Sequence, residues 1–256
     1  MNDQANNTEM RDKMLVTVAS GKGGVGKTWF ASTLCHALSA KGKKTLLFDC
    51  DFGLANVDIQ LGLMPDHDLG EVIANEISLA EAVYHHQDSE LNFDVISGQS
   101  GSGALASLKM ERLIELGKEV SALSQSYDFT VMDLGAGVEN SVMTLARASD
   151  KIIVIITPDP TSLTDAYAFI KLYKMRNENA EINIVVNMAE DQNEGRRAYD
   201  KIYKVCQNFL NLKPTLLGIV VRDKHVAMSI RAQAPLLSRY PQCKAGENVI
   251  EIAKKL

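Results

Sequence analysis

Short, continuous apolar runs alternate with longer segments of helical periodicity along most of the chain. Seven of these runs are rich in β-branched residues, at residues 15–19, 45–48, 93–96, 129–132, 152–156, 182–186 and 216–221. Continuous apolar runs are typical of strands that are covered on both faces. Between them, segments such as residues 108–123 and 164–175 have the periodicity of helices. This alternation predicts a single doubly wound α/β domain with a mostly parallel sheet of about seven strands.

The polar residues 1–13 lie outside this pattern, so we predict a flexible tail there and one domain over residues 14–256. The net charge of −5 argues against a dedicated nucleic-acid-binding protein. The four cysteines have no C-x-x-C spacing, so we expect reduced, buried thiols rather than a metal or redox site. The chain shows no secretory leader pattern and no apolar run near the roughly 20 residues of a membrane-spanning helix, which predicts a cytoplasmic protein.

A glycine-rich segment, Gly21-Lys-Gly-Gly-Val-Gly-Lys-Thr28, follows the first predicted strand and opens a helix predicted to end near residue 39. It matches G-x-x-x-x-G-K-T in the strand–loop–helix context that a phosphate-binding loop requires. The glycines allow successive backbone N–H groups to point at anionic oxygens without a Cβ clash. The lysine before the helix is expected to reach the β- and γ-phosphates, and the threonine hydroxyl to bind Mg²⁺. The residues expected at the nucleotide are Gly23, Gly24, Val25, Gly26, Lys27 and Thr28.

A second lysine, Lys22, lies inside this loop, although a phosphate-binding loop needs only one. Lys22 is either a solvated cation or a charge that neutralises the phosphates bound by a partner subunit. Charge supplied by a second protein can accelerate phosphoryl transfer by orders of magnitude. The residues alone leave both interpretations open.

The octapeptide at residues 21–28 resembles the deviant Walker A motif of the MinD/ParA ATPases, which are SIMIBI-type P-loop NTPases. In that family two subunits sandwich two ATP molecules, and the signature lysine crosses the interface. The resemblance implies that Lys22 acts on the ATP of the other subunit. It further implies an ATP-dependent, dimerising switch with slow ATPase activity, with ATP and Mg²⁺ as cofactors and a homodimer as the closed form.

Two predicted strands end in acidic residues that could serve this loop. Asp49 and Asp51 follow the run at residues 45–48, and they share a side if the strand continues to Asp51. The segment from Asp51 to Asp58 resembles switch I of MinD-type proteins, which implies that Asp51 orients the attacking water and belongs to the metal site. Asp49 is expected to be structural. Asp133 ends the run at residues 129–132 as a Walker B acid and is expected to hold Mg²⁺ through a water, while residues 135–137 form switch II.

Residues that follow later strands are candidates for binding the base. Asn187 offers both a donor and an acceptor to the edge of adenine, and the resemblance to MinD-like proteins implies this role for it. Asp223 lies where the family often has a second base contact, but this chain lacks the proline of that segment. Trp29 and Thr33 occupy positions where relatives often have asparagine. Trp29 either packs under the nucleotide or fills the core, and we favour the core.

Several segments narrow the resemblance to the FlhG/FleN group, which regulates the number and placement of bacterial flagella. These segments are residues 133–137, 157–168 and 239–245. Asp3-Gln4-Ala5 also resembles the D-Q-A motif with which this group stimulates the GTPase FlhF. The resemblance spans nearly the whole chain and implies an FlhF-type GTPase as a partner. A flagellar transcription regulator and a switch protein are further candidate partners.

Other functions of the wider family are not excluded by the sequence. A MinD-type cell-division ATPase is one alternative, and a ParA-type partition ATPase on DNA is another, for which a basic patch would come from Arg222, Lys224, Arg231 and Arg239. Iron–sulfur relatives require cysteines that this chain lacks near switch II, and dethiobiotin synthase usually lacks an equivalent of Lys22. FlhG and MinD usually end in an amphipathic membrane-targeting helix. Here we expect the short apolar face at residues 249–256 to be core, which leaves contact with the inner membrane or cell pole open.

Overall fold

A computed structural model describes residues 13–51, 53, 55–85, 91–98, 108–178 and 180–256. The strands in this part of the chain are β1 (Met14–Ala19), β2 (Thr45–Cys50), β3 (Asp94–Ile96), β4 (Phe129–Leu134), β5 (Lys151–Ile156), β6 (Ile182–Ala189) and β7 (Thr215–Val221). Each begins within one residue of an apolar run in the sequence. Burial on both faces therefore explains the pattern from which the strands were predicted.

The helices that connect and cover the strands differ widely in length. They are α1 (Lys27–Ser39), α2 (Val57–Leu61), α3 (Leu69–Ile73), α4 (Met110–Ser124), α5 (Asn140–Ala146), α6 (Pro160–Arg176), α7 (Gln192–Leu210), α8 (Lys224–Arg231), α9 (Leu236–Arg239) and α10 (Lys244–Ala253). Side-chain caps define several starts, because Asp159 accepts the Thr161 N–H at α6 and Asp191 accepts the Glu194 N–H at α7.

The seven strands form one sheet in the order β3-β2-β4-β1-β5-β6-β7, and every neighbouring pair is parallel. The prediction of a mostly parallel sheet of about seven strands in one α/β domain is confirmed. The chain leaves β1 towards β2 on one side of the sheet and later enters β5 on the other side. In open α/β sheets such a reversal opens a crevice at the carboxyl ends of the strands, where ligands bind.

Helices cover both faces of the sheet and create two apolar layers. One layer joins α4, α5, α6 and α7 to strand residues such as Phe48 and Met132, which are fully buried. The other layer joins α1 and α10 to residues such as Val18 and Val131. Because side chains alternate along a strand, a residue two positions after Val131 faces α1. This alternation places the strand-end acids beneath the start of α1.

Two predictions about individual residues are confirmed. The apolar face near the C-terminus packs as core, since Val249, Ile252 and Ala253 are buried in α10. All four cysteines are free and buried. His85 is 70% exposed and pairs with Asp94, whereas His86 lies outside the described residues. None of the helices that the structure describes is long and apolar enough to cross a bilayer.

Three strands extend further than their apolar runs indicate, and one of them, β6, continues to Ala189, so that Asn187 lies inside it. β2 continues to Cys50 and β4 to Leu134, so that Asp49 and Asp133 lie inside the sheet rather than after it. The two strands stay in register as far as Cys50 opposite Leu134. Hydropathy marks where side chains are apolar, whereas backbone pairing continues through an acidic residue that faces a polar site.

Candidate active site

The loop between β1 and α1 is built to expose its backbone. Gly24 has φ of 75° and Gly26 has φ of 87°, in the left-handed region that favours glycine. A Cβ atom on Gly26 would lie 2.5 Å from Asn187 Nδ2, so this position has no room for a side chain. The Ser20 hydroxyl donates to the Lys22 carbonyl oxygen at 2.7 Å, which ties the loop to the end of β1. The loop is thus shaped before any anion binds.

The residues that open α1 are the ones the sequence assigns to phosphate and metal. Lys27 and Thr28 are the first two residues of the helix, and Lys27 is buried at 8% exposure. No side chain caps this helix start. Backbone N–H groups at an uncapped helix start, with a lysine beside them, form a favourable place for phosphate.

Two acids from neighbouring strands meet beneath this helix start. Asp49 and Asp133 are directly opposite each other in the pairing of β2 with β4, and both are essentially fully buried. Burial, followed by repulsion from Asp49, raises the pKa of Asp133, while the Lys27 ammonium opposes this rise. Burial likewise raises the pKa of Asp49, although three backbone N–H groups counteract it. The pair is a concentration of negative charge that a cation would relieve.

The Asp133 carboxylate fits the role of a magnesium-site residue. Both of its oxygens are buried and make no hydrogen bond of ordinary geometry among the described residues, although the Thr28 hydroxyl lies close enough to lower its pKa. Those residues contain no cluster of three or more His, Cys, Asp or Glu side chains ready to hold a metal. Magnesium does not need such a cluster, because it is usually held by one or two carboxylates together with substrate phosphates and waters. A single orphaned acid next to a phosphate loop meets that requirement.

Asp49 organises the loop that carries Asp51. Its Oδ1 accepts the Asp51 N–H at 3.1 Å, and its Oδ2 accepts the N–H groups of Asn56 and Val57 at 3.1 and 3.2 Å. These bonds end β2 at Cys50 and start α2, so Asp51 does not continue the strand. The expected structural role of Asp49 agrees with this geometry.

Asp51, the first residue of the predicted switch I, lies next to the predicted switch II at residues 135–137. Its Oδ1 accepts the Gly53 N–H at 3.2 Å, and a Cβ atom on Gly135 would come within 3.2 Å of the same oxygen. Gly137 N–H in turn donates to the Ser20 carbonyl oxygen at 3.0 Å. The structure therefore brings Asp51, the 135–137 segment and the phosphate loop together.

Lys22 points away from this centre and binds α6. Its Nζ lies 3.1 Å from Asp159 Oδ2 and also donates to the Thr161 hydroxyl. The Thr161 N–H and the Lys22 ammonium hold the pKa of the Asp159 carboxyl below its usual range. The Lys22 side chain is 38% exposed at the edge of a cavity of about 440 Å³ that Arg222 and Glu194 also line.

A second cavity, of about 320 Å³, opens beside Gly26 and holds the three candidate base-binding residues. Trp29, Asn187 and Asp223 all line it, together with the apolar residues Val221, Val226, Ala227 and Ile230. Asn187 Nδ2 donates to the Val25 carbonyl oxygen at 2.8 Å, and its Oδ1 accepts the Met188 N–H at 2.9 Å. The Asp223 carboxylate caps α8 through His225 N–H and also accepts from Ala245 N–H. Base contacts by Asn187 and Asp223 stay predictions. Both oxygens of the Asp223 carboxylate already accept hydrogen bonds from backbone N–H groups.

Three residues that position Lys22 and the phosphate loop were not predicted from the sequence. Ser20, Asp159 and Thr161 were not singled out, although Asp-Pro-Thr after an apolar run is a recognisable helix start. The contacts of Asp159 and Thr161 with Lys22 join segments 137 and 139 residues apart in the chain, and no local pattern predicts them. Residues 1–12, which include Asp3-Gln4-Ala5, lie outside the described residues, as do Phe52 and Leu54 of the predicted switch I.

Comparison with known proteins places this geometry among nucleotide-binding proteins. Residues 16–236 match the family model described as the CobQ/CobB/MinD/ParA nucleotide binding domain. The chain is 31% identical to the antiactivator FleN of Pseudomonas aeruginosa over 96% of this chain and 87% of that protein. It is 29% identical to the flagellum site-determining protein YlxH of Helicobacter pylori over 93% and 80%. The structure of MinD from Pyrococcus horikoshii, solved with Mg-ADP, superposes with a TM-score of 0.79 at 23% identity over 94% and 95%.

Proposed function

Since the chain belongs to the CobQ/CobB/MinD/ParA nucleotide-binding family and is a P-loop ATPase that uses ATP and Mg²⁺, we propose that it is a dimerising switch of the FlhG/FleN type. In this proposal ATP closes a homodimer and hydrolysis opens it. The switch controls the number or placement of flagella through proteins that bind one of the two states. The two flagellar relatives, FleN and YlxH, support the choice of pathway.

The position of Lys22 is the observation that best supports the proposed homodimer. Its ammonium lies on the outer side of the loop, held by Asp159 and Thr161, whereas Lys27 is buried at the start of α1. A lysine that is partly exposed beside its own phosphate loop is well placed to reach the phosphates of a facing subunit. Such a charge acts mainly as phosphate charge rearranges in the transition state.

The other residues divide the remaining work. The N–H groups of the loop and the Lys27 ammonium bind and orient the phosphates. Asp133 and the Thr28 hydroxyl would hold Mg²⁺, which neutralises charge on the β- and γ-phosphates when it is bound. Asp51 orients the attacking water, since it lies next to the 135–137 segment, which is bonded to Ser20 directly before the phosphate loop.

Dimerisation tests this proposal directly. We expect wild-type protein to be monomeric with Mg-ADP and dimeric with Mg²⁺ and a non-hydrolysable ATP analogue in size-exclusion chromatography with light scattering. Lys22→Ala should keep nucleotide binding but lose the dimer and at least about tenfold of the turnover, since charge supplied in trans is worth orders of magnitude. Lys27→Ala is the matched control, because it should weaken nucleotide binding itself. A monomeric wild type with both nucleotides and unchanged turnover in Lys22→Ala would contradict the proposal.

A further inference from the structure

The cavity beside Gly26 has the lining of a base site, and the two side chains predicted to read the base are already partly engaged within the protein. Its apolar wall is formed by Val221, Val226, Ala227 and Ile230, which suits a flat aromatic ring. Asn187 uses one Nδ2 hydrogen and one Oδ1 lone pair within the protein, and Asp223 already accepts from two backbone N–H groups. Arg222 also lines the cavity, and a further donor would add to the recognition of a base.

Trp29 supplies such a group. It lines the cavity from the first turn of α1 and is 95% buried, at 5% exposure. Its indole Nε1–H is buried and has no acceptor among the described residues. Tryptophan can only donate, and buried donors in proteins are nearly always paired. A buried donor without an acceptor is costly, and a ligand that reaches the indole edge would supply the acceptor.

The wall of the cavity is able to admit that acceptor. Met188 contributes a flexible thioether to the lining, and its methyl group lies within 3.4 Å of the space that a Cβ on Gly26 would fill. Unbranched methionine side chains adapt to a new neighbour at little cost. The cavity can therefore adapt to an incoming base beside the phosphate loop, to which Gly26 belongs.

We propose that Trp29 is a base-contacting residue, whose indole N–H donates a hydrogen bond to a ring nitrogen of a bound purine. This inference rests on the proposed function, because it takes the nucleotide of the ATPase as the occupant. Purine ring nitrogens are acceptors in the plane of the ring, which is the geometry that an indole N–H requires. A tryptophan that only fills the core would have no such role in nucleotide binding.

The test replaces one atom group and keeps the volume. Trp29 is the only tryptophan in the chain, so 3-benzothienylalanine, in which sulfur replaces the indole N–H, can be introduced at this single position. Affinity for Mg-ATP and Mg-ADP, measured by calorimetry, should fall roughly five- to tenfold, as for the loss of one buried hydrogen bond. Affinity for inorganic tripolyphosphate should stay unchanged. Thermal unfolding of the nucleotide-free protein should not move downward, because no pairing is lost there.

Tyr173→Phe is the matched control, because it removes a buried hydroxyl whose bond to the Ala146 carbonyl oxygen lies on the opposite face of the sheet. It should lower the unfolding temperature and leave nucleotide affinity unchanged. Trp29→Phe repeats the test with an ordinary residue, and wild-type tryptophan emission should shift with ATP but not with tripolyphosphate.

Each remaining outcome decides against the proposal. Equal ATP affinity in the wild type and the sulfur isostere would show that Trp29 only fills the core. A parallel loss of tripolyphosphate affinity would assign the N–H to a phosphate oxygen instead of the base. A wild type that binds neither Mg-ATP nor Mg-ADP would overturn the proposed function as well, which separates the two failures.

Discussion

At the scale of single residues, the site stores unfavourable charge until its ligand arrives. Asp133 is fully buried beside Asp49, and its two oxygens make no hydrogen bond of ordinary geometry among the described residues. Such a carboxylate destabilises the nucleotide-free fold, because the unfolded chain ionises it more easily. The same arrangement favours a bound cation, so stability of the free protein and affinity for Mg²⁺ oppose each other at this residue.

Asp133→Asn should therefore stabilise the nucleotide-free protein and abolish stabilisation by Mg-ATP. Burial raises the pKa of Asp133 to about 7 in the folded protein. The destabilisation that this carboxylate causes therefore grows as the pH rises from the ordinary pKa of an aspartate to about 7. The gain in unfolding temperature over wild type should increase over this range and level off above it. Each kcal/mol is worth roughly 2–4 °C for a domain of this size. Thermal unfolding at several pH values measures this.

Asp150→Asn is a suitable comparison, because it also removes one carboxylate charge but weakens the charge-assisted bond that Asp150 accepts from Leu15 N–H at 2.8 Å, leaving a neutral amide oxygen as the acceptor. It should lower the unfolding temperature at neutral pH. If Asp133→Asn also lowers it at every pH, the buried acid is a paired structural group and not a waiting metal ligand.

At the scale of secondary-structure elements, the sequence predicted most of the fold and only part of the site. The seven strands follow from continuous apolar runs, and the phosphate loop follows from local spacing, since both signals are contained in short stretches. The end of β2 does not, because it depends on Asp49 accepting N–H groups from Asn56 and Val57. The place of Lys22 against α6 depends on a contact between distant segments. Tertiary hydrogen bonds of this kind leave no periodic trace in a sequence.

The last helix provides a prediction at this scale. Ile252 is 1% exposed and packs against β7, where a Cβ on Gly218 would lie only 2.5 Å from its Cγ1. Ile252→Ala should cost about 2–5 kcal/mol of unfolding free energy, as for other large-to-small changes in a core. Urea denaturation measures this cost. Ile250 lies two residues earlier on α10 and is only half-buried, so Ile250→Ala should lower the unfolding free energy clearly less.

Binding of the two variants to anionic vesicles completes that experiment. We expect no difference between them, because an apolar face that packs on the sheet is not free to enter a bilayer. Full stability in Ile252→Ala together with lost vesicle binding would reverse the assignment of α10 from core helix to membrane anchor.

At the scale of the whole molecule, residues 1–13 are predicted to act on a partner protein, because Asp3-Gln4-Ala5 resembles the motif with which the FlhG/FleN group stimulates FlhF. We predict that a peptide of these residues accelerates GTP hydrolysis by the FlhF-type GTPase of the same host. A polar segment that orders on its partner can place a carboxylate and a carboxamide beside a nucleotide. Steady-state GTPase assays measure the effect.

Gln4→Ala in the peptide should remove most of the acceleration, and the same change in the full chain should leave its own ATPase rate unchanged. Asn6→Ala is the matched control within the tail. If the peptide is inert while a chain lacking residues 1–13 still stimulates the GTPase, another surface carries the partner signal.

The contact of Lys22 with Asp159 and Thr161 also affects how the proposed dimerisation depends on the local concentration of the protein. A lysine that already has a partner in its own chain must exchange it for the phosphates of a second chain, so an intramolecular contact competes with assembly. Exposed ion pairs are only weakly stabilising, and the exchange is made once in each subunit, so it lowers the dimerisation constant modestly. Such a penalty is too small to block the dimer but large enough to raise the protein concentration at which it forms. A cell that gathers these molecules at one place would cross that threshold there first, and dilute molecules elsewhere would remain apart.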